Sequence, residues 1–236
     1  MKIANKTILI TGANRGIGNA LLEEALKKGA KRVYAGTRVP FSHPDDRVIP
    51  LKLDVTDTDQ IKDVAAKIES LDILVNNAGV AFYDNLDDGS MIEKHLSVNL
   101  YGTYNLTRAL LPVLINSKGA IVNILSLLSL APLPPIASYS ISKAAAFSMT
   151  QSLRAFLAMQ GVRVHAVLTG PVDTDMNRGL DIPKASPELA AQNIFAGVEK
   201  EEDEIFPEPM SASVAESWNN SAMKGMEKQN AVFVTV

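Results

Sequence analysis

The alternation of short apolar runs with helical spacing is the feature that most constrains how this chain folds. Seven short, mostly apolar runs are predicted to be strands, namely Thr7–Ile10, Val33–Thr37, Val48–Leu53, Ile73–Val75, Ala120–Leu125, Val162–Leu168 and Glu204–Phe206. Helices are predicted from Ile17 to a stop at Gly29 and over Thr58–Glu69, Met91–Leu114, Ser138–Gln160, Ala185–Val198 and 213–229. This order predicts an α/β fold with a parallel sheet that is covered by helices on both faces and binds ligands at the carboxyl ends of its strands.

Two local features modify this pattern. Residues 39–47, which include Pro40 and Pro44, separate the second and third strands and are too few for a crossover helix. We therefore expect an irregular loop there. Gly102 and Pro112 are weak points in the predicted helix Met91–Leu114.

Composition excludes several classes of function. The 236 residues predict one domain spanning 1–236, and a net charge of −3 argues against a nucleic-acid partner. The absence of cysteine excludes disulfides, thiolate metal sites and a cysteine nucleophile, and the three histidines share no ligand spacing, so no metal site is expected. The N-terminus does not resemble a signal peptide, and the apolar stretch Ile121–Ile136 contains three prolines. We expect a cytoplasmic protein without a membrane partner.

A glycine-rich turn follows the first strand. Residues 11–18 read Thr-Gly-Ala-Asn-Arg-Gly-Ile-Gly, directly before the first helix. Gly12 permits a tight turn, Gly16 lets the backbone approach a pyrophosphate, and Gly18 lets the helix pack close to the sheet. The helix N-terminus offers free N–H groups to phosphates. A purely structural strand-to-helix turn is the alternative.

Tyr139 and Lys143 are four residues apart on a predicted helix and therefore share one face. A free tyrosine has a pKa of about 10, and a neighbouring ammonium group is expected to lower it. Ser126 follows the fifth strand and could meet the same substrate oxygen. Taken alone, such a Tyr–Lys pair also fits a solvated helix face.

Several motifs occur together in register, namely Thr11-Gly12-x3-Gly16-x-Gly18, Asn76-Asn77-Ala78-Gly79, Asn99, Ser126 and Tyr139-x3-Lys143. Over residues 5–176 the chain resembles the short-chain dehydrogenase/reductase family in its single-domain form. The resemblance implies a doubly wound Rossmann fold with about seven parallel strands. It also implies hydride transfer between a nicotinamide cofactor and a carbonyl or alcohol.

The resemblance assigns roles to individual residues. Tyr139 matches the general acid, Lys143 the residue that tunes it and binds the nicotinamide ribose, and Ser126 the donor that polarises the carbonyl. Asn99 matches the residue whose carbonyl holds a relay water, although its spacing also suits a helix cap or turn. The implied cofactor-binding residues are Gly12, Asn14, Arg15, Gly16, Ile17, Gly18, Arg38, Asp54, Val55, Asn77, Ala78, Gly79, Tyr139, Lys143, Val172 and Thr174.

The chain departs from the family pattern in two places. Thr169 stands before Gly170, where the family usually has proline, and Leu125 precedes Ser126, where a second serine is frequent. The first departure puts the geometry of the local turn in question.

The end of the second strand predicts NADP(H) as the cofactor. NAD-preferring sites place an acid there to bind the ribose hydroxyls, whereas this chain has Thr37 followed by Arg38, and Arg15 lies in the glycine turn. Both arginines could contact a 2′-phosphate. The alternative is that Arg38 lies in solvent at the edge of the sheet.

The segments Leu127–Pro135 and Pro171–Leu180 are expected to line an apolar substrate pocket, which favours hydrophobic ketones or aldehydes. A nucleotide-binding regulator with little turnover is one alternative, and an epimerase or dehydratase of nucleotide sugars is another.

The resemblance also implies a homodimer or homotetramer built on the helices around Met149 and Phe156. The apolar residues Ala231–Val236 either pack on a neighbouring subunit or form a disordered tail.

Overall fold

The computed structural model describes residues 1–234, which contain one sheet of seven parallel strands in the order β3-β2-β1-β4-β5-β6-β7. The strands are β1 Thr7–Thr11, β2 Arg32–Thr37, β3 Val48–Lys52, β4 Ile73–Asn76, β5 Ala120–Ile124, β6 Arg163–Val167 and β7 Glu204–Ile205. Each predicted strand is present, with bounds that differ by at most one residue. The doubly wound, Rossmann-like sheet is therefore confirmed.

The helices lie between the strands and after the last one. They are α1 Gly16–Lys27, α2 Thr58–Lys67, α3 Gly89–Leu96, α4 Thr103–Ser117, α5 Ala137–Ala158, α6 Pro187–Lys200, α7 Pro209–Asn219 and α8 Ala222–Asn230. Short 3-10 turns cover Leu127–Ser129, Asp175–Asn177 and Ala231–Phe233. As predicted, no helix forms between Arg38 and Val48. Within residues 1–234, no helix is both long and apolar enough to cross a bilayer.

Side chains of β1 alternate between two buried layers, as expected for a strand covered on both faces. Ile8 and Ile10 pack in a layer with Leu21 of α1 and Phe195 of α6, all with no exposed surface. Leu9 points the other way, into the layer that contains Leu106 of α4. These two layers hold the sheet rigidly enough to serve as a base for the residues at its edge.

The order of the strands reverses at β1. The chain runs outward through β2 and β3 and then returns to β4 on the other side of β1, with Ile10 opposite Val75. Such a reversal opens a crevice at the carboxyl edge of the sheet. The glycine turn, the Asn77–Gly79 segment and Ser126 all follow strands at this edge.

Two helix predictions differ from the structure. The predicted helix Met91–Leu114 consists of α3, a π-helical segment Ser97–Gly102 and α4, and Pro112 lies inside α4. The single terminal helix predicted over 213–229 was wrong, because the chain ends α7 at Asn219 and starts α8 with the Ser221 side chain accepting from the Lys224 N–H. Of the predicted apolar tail, residues 235–236 lie outside the described part of the chain.

Candidate active site

The glycine turn has the geometry that its sequence predicts. Gly12 has a φ of 65°, which strains any residue with a side chain. A Cβ added to Gly18 would lie 2.1 Å from the carbonyl oxygen of Gly12, so the helix can approach β1 this closely only with glycine there. The conformation of the turn therefore requires glycine both at position 12 and at position 18.

The N-terminus of α1 offers donors to an anion. Arg15 precedes α1 in an extended conformation, and its side chain forms no capping hydrogen bond. The first N–H groups of α1 therefore have no capping side chain from Arg15 and can donate to an anion. A Cβ on Gly16 would lie 3.1 Å from the Thr174 methyl group, so the segment Val172–Thr174 faces the turn. With half-buried Asn14 and Ile17 beside it, this arrangement fits the pyrophosphate of a dinucleotide.

The segment Asn77–Gly79 is fixed against the end of β1. The Thr11 hydroxyl oxygen accepts from the N–H groups of Asn77 and Ala78, both at 2.9 Å. The Asn77 side chain donates to the Thr11 carbonyl at 2.8 Å. These bonds hold the floor of the crevice next to the glycine turn.

Tyr139 and Lys143 lie on one face of α5, as predicted, and both are buried. The Lys143 Nζ lies 5.7 Å from the centroid of the Tyr139 ring and donates to the Ile124 carbonyl at 2.8 Å. Ser126, just beyond β5, is also buried. The structure therefore brings these three side chains together.

The protonation of this pair differs from the expectation. Burial raises the pKa of Tyr139 to about 12, and hydrogen bonding to Ser126 offsets only part of that rise. Burial lowers the pKa of Lys143 to about 8. The expected lowering of the Tyr139 pKa was wrong, because desolvation of the phenolate outweighs the hydrogen bond with Ser126.

Asn99 lies in the π-helical segment and is almost fully buried. Its Oδ1 accepts from the Val80 N–H, and its Nδ2 donates to the Val80 carbonyl and the Ser142 hydroxyl, all at 2.9 Å. A Cβ on Gly79 would lie 3.2 Å from Asn99 Oδ1 and 3.7 Å from Lys143 Nζ. The Asn99 amide and the Lys143 ammonium group therefore both lie next to Gly79.

The adenosine end of the crevice carries positive charge. Arg38 follows β2, is exposed and makes no ion pair or hydrogen bond within residues 1–234. The exposed Arg15 lies 3.7 Å from the Asp175 carboxylate. The Asp54 carboxylate accepts from Thr56, and the neighbouring Val55 side chain is buried. No carboxylate stands at the end of β2, where Thr37 is found.

This arrangement has counterparts among known proteins. A family model described as short chain dehydrogenase matches residues 6–184. The chain belongs to the short-chain dehydrogenase family. As a short-chain dehydrogenase, it is an oxidoreductase.

Three relatives illustrate the range of this family. The 3-oxoacyl-(acyl-carrier-protein) reductase of Thermotoga maritima is 34% identical over 215 residues, which are 84% of this chain and 85% of that enzyme. The NADPH-dependent 1-acyldihydroxyacetone phosphate reductase of Schizosaccharomyces pombe is 36% identical over 184 residues, which are 72% of this chain and 61% of that enzyme. The crystal structure of a short chain dehydrogenase from Burkholderia cenocepacia in complex with NADP has a TM-score of 0.89 and 36% identity, with 100% of both chains covered.

Sequence reasoning missed three residues that support the site of this short-chain dehydrogenase. The Ser142 hydroxyl donates to the Tyr139 carbonyl at 2.7 Å and accepts from Asn99. The Asp84 carboxylate accepts from the Ser138 N–H and hydroxyl at the start of α5. The ring of buried His95 lies 6.2 Å from the Tyr139 ring. Ser142, three residues after Tyr139, could have been found from helical spacing, whereas Asp84 and His95 carry no local signal.

The substrate side of this short-chain dehydrogenase is mixed in character. Leu133 and Met176 are about half exposed, as a lining role requires, but the Val172 side chain is 1% exposed and was wrongly included in the lining. A cavity of about 290 Å³ at the second of the two predicted lining segments, Pro171–Leu180, is lined by Asp173, Thr174, Asp175, Arg178, Gly179 and Lys184. The expectation of an apolar lining therefore fits Leu127–Pro135, which carries no charged residue, and is wrong for Pro171–Leu180, which carries Asp173, Asp175 and Arg178.

Proposed function

We propose that this protein is an NADP(H)-dependent carbonyl reductase that transfers hydride between the cofactor and a ketone or aldehyde. The observation that carries the proposal is the buried cluster of Ser126, Tyr139 and Lys143 beside the glycine turn. A protein that only binds nucleotides has no use for a phenol and an ammonium group held together away from solvent. This argues against the alternative of a regulator with little turnover.

Each residue of the cluster has a distinct task in the proposed reaction. The bound nicotinamide supplies the hydride. Tyr139 gives its hydroxyl proton to the carbonyl oxygen, so that hydride and proton together convert the ketone to an alcohol. With a pKa of about 12, the phenol carries this proton throughout the neutral range. Ser126 donates to the same oxygen and orients it.

Lys143 and Asn99 lie on the inner side of Tyr139. A Lys143 pKa of about 8 lets this group exchange a proton near neutral pH. Asn99 lies close to the Lys143 ammonium group, with Gly79 between them. We assign to this side of the site the resupply of the proton that Tyr139 gives up.

The preference for NADP(H) over NAD(H) is supported by charge. Thr37 at the end of β2 leaves no carboxylate to repel a 2′-phosphate, and the exposed Arg38 follows it directly. Arg15 is exposed in the glycine turn, where it faces the Asp175 carboxylate at 3.7 Å. A hydrogen bond to a charged partner contributes about 1.5–3 kcal/mol. Two partly screened contacts should give a preference on the order of 10²-fold. The NADP-bound structure from Burkholderia cenocepacia and the NADPH-dependent yeast enzyme agree with this choice.

We further propose hydrophobic ketones or aldehydes as the substrates. Leu133, Phe82 and Tyr83 expose apolar surface, which favours apolar groups. The Phe82 ring lies 5.4 Å from the ring of His95, which in turn lies 6.2 Å from the Tyr139 ring. The apolar group of the substrate is assigned to the Leu127–Pro135 side of the site, because the cavity at residues 173–184 is lined by charged side chains.

The test is NADPH oxidation with a matched panel of ketones. An aryl ketone, a charged sugar ketone and a 3-oxoacyl thioester should be compared by kcat/KM, each with NADPH and with NADH. We expect the highest kcat/KM for the aryl ketone with NADPH. A higher value for the sugar ketone would contradict the substrate class, equal use of NADH would contradict the cofactor, and no turnover at all would favour the regulator.

A cytoplasmic homodimer or homotetramer completes the proposal. Exposed apolar side chains lie on or directly next to α4 and α5, the helices that the family resemblance implies for assembly, namely Tyr101, Tyr104, Phe156 and Met159. Their exposure on a single chain suits burial against a second copy. Light scattering after size exclusion should give two or four times 25.4 kDa, and a monomer would contradict the assembly.

A further inference from the structure

Ser126 is held through both of its chain neighbours by a single residue. The Thr169 hydroxyl donates to the Leu125 carbonyl at 3.0 Å. The Thr169 carbonyl accepts from the Leu127 N–H at 2.9 Å. Thr169 lies just beyond β6 and is 7% exposed, so water cannot easily replace either bond. The backbone on each side of Ser126 is thus fixed to the same point of the neighbouring strand.

The turn that contains Thr169 is itself held from outside. The Glu208 carboxylate is almost fully buried and accepts from the Gly170 N–H at 2.8 Å. The same carboxylate accepts from the N–H groups of Met210 and Ser211 at the start of α7. A Cβ on Gly170 would lie 2.8 Å from Glu208 Oε1, so glycine is needed for this approach. The three partners of the Glu208 carboxylate within residues 1–234 are thus backbone N–H groups, which join the turn to the start of α7.

We propose that Thr169 is a positioning residue for Ser126 and that Glu208 supports it by anchoring the turn to α7. The Thr169 hydroxyl restrains the backbone before Ser126 through its hydrogen bond to the Leu125 carbonyl. The inference rests on the proposed function, because it concerns the serine that orients the substrate carbonyl.

Thr169→Val tests the hydroxyl with little change of shape. Loss of the bond to the Leu125 carbonyl removes one of the two backbone restraints on Leu125, whose N–H still donates to the Val167 carbonyl at 2.8 Å. Small misplacements of a catalytic group cost up to about 10²-fold in rate. We expect kcat for the aryl ketone to fall about 10-fold, with the Kd for NADPH unchanged by fluorescence titration. Thr169→Ser keeps a hydroxyl and should retain kcat within about 2-fold. Ser117→Ala is the control, because the half-buried Ser117 hydroxyl likewise donates to a backbone carbonyl, that of Leu71 at 2.6 Å, but at the opposite edge of the sheet, so this variant should keep the wild-type kcat.

A double-mutant cycle separates positioning from general destabilisation. If Thr169 acts through Ser126, Thr169→Val should lower kcat no further in the Ser126→Ala background. If Thr169→Val does not fold, Thr169→Ala takes its place in the cycle. If the wild type reduces ketones, full activity of Thr169→Val or additive losses in the cycle would overturn the role of Thr169 and leave the proposed function intact. A wild-type protein without ketone turnover would instead overturn the proposed function and, with it, this role.

Discussion

At the scale of single residues, the buried phenol of Tyr139 dominates the chemistry of the site. Tyr139→Phe keeps the ring that packs near His95 and removes the hydroxyl proton. General acid–base catalysis contributes about 10²–10⁴-fold, so kcat for ketone reduction should fall by at least that range. The Kd for NADPH, measured by fluorescence titration, should stay nearly unchanged. A variant that keeps most of the activity would rule out Tyr139 as the proton donor.

The buried ammonium group of Lys143 makes stability depend on pH. Its pKa falls from 10.5 in an exposed lysine to about 8 in the folded protein because of burial. Between these values the unfolded chain binds more protons than the folded one, so the free energy of unfolding rises with pH. From pH 7 to pH 9.5 the gain should be about 2 kcal/mol.

Lys143→Met provides the comparison, because it removes the titrating group and leaves the others in place. Urea unfolding of both proteins at pH 7 and pH 9.5 should show the gain in the wild type only. Parallel pH profiles for the two proteins would mean that Lys143 is not desolvated.

At the scale of elements, α8 is joined to the sheet by a buried charge. Lys224 of α8 donates to Glu204 of β7 at 2.7 Å and to Glu227 at 2.9 Å, and the Lys224 and Glu204 side chains are 6% and 1% exposed. Removing one member of a buried pair leaves the other poorly solvated. Breaking a buried ion pair costs about 3–5 kcal/mol. Because Arg154 still contacts Glu204, we expect Lys224→Ala to lower the free energy of unfolding by the smaller of these values, about 3 kcal/mol.

Lys62→Ala is the matched control for Lys224→Ala. Lys62 pairs with Asp59 three residues earlier on α2, but both side chains are exposed to solvent. Such pairs contribute little, so this variant should unfold at the wild-type urea concentration. Equal effects of the two substitutions would show that α8 is not anchored through Lys224.

The elements also show what local sequence can and cannot predict. The strands were predicted to within a residue because each is a buried apolar run bounded by turn residues. The π-helical segment was not predicted, because its extra residue is stabilised by contacts with residues far away in the sequence. Asn99 bonds Val80, and the Val55 side chain packs against Gly102, where a Cβ would not fit. The break at Asn220 was missed because Ser221 caps a helix whose packing depends on Glu204.

At the scale of the whole molecule, binding of the cofactor should stabilise every element at once. A ligand at 100 times its Kd adds about 2.7 kcal/mol to the free energy of unfolding. For a chain of this length that raises Tm by about 5–10 °C. At equal concentrations NADP⁺ should raise Tm more than NAD⁺, because Arg38 and Arg15 favour the 2′-phosphate.

Arg38→Ala should reduce the shift caused by NADP⁺ and leave the shift caused by NAD⁺ in place. Arg108→Ala, which removes an exposed arginine on α4, is the control and should keep the wild-type difference. If NAD⁺ and NADP⁺ raise the Tm of the wild type equally, the charge argument is wrong.

The site as a whole was predictable in part. Motifs in register located the glycine turn, Ser126, Tyr139 and Lys143, which the structure brings to one edge of the sheet. The direction of the Tyr139 pKa shift was not predictable, because it depends on burial by residues from several elements. Thr169 and Glu208 were missed as supports for the same reason, since their partners lie 44 and 38 residues away.

The π-helical segment lies between α3 and α4 and carries Asn99. A π turn takes up one more residue than an α turn, so the segment adds a residue without rotating α4, whose buried face carries Leu106, Leu110 and Leu114. Deleting one residue between Ser97 and Gly102 would restore the regular pitch and leave that face toward the sheet, but it would remove the wide turn from which Asn99 bonds Val80 and Ser142. The length of the segment is therefore fixed by the position of Asn99 and not by the packing of α4.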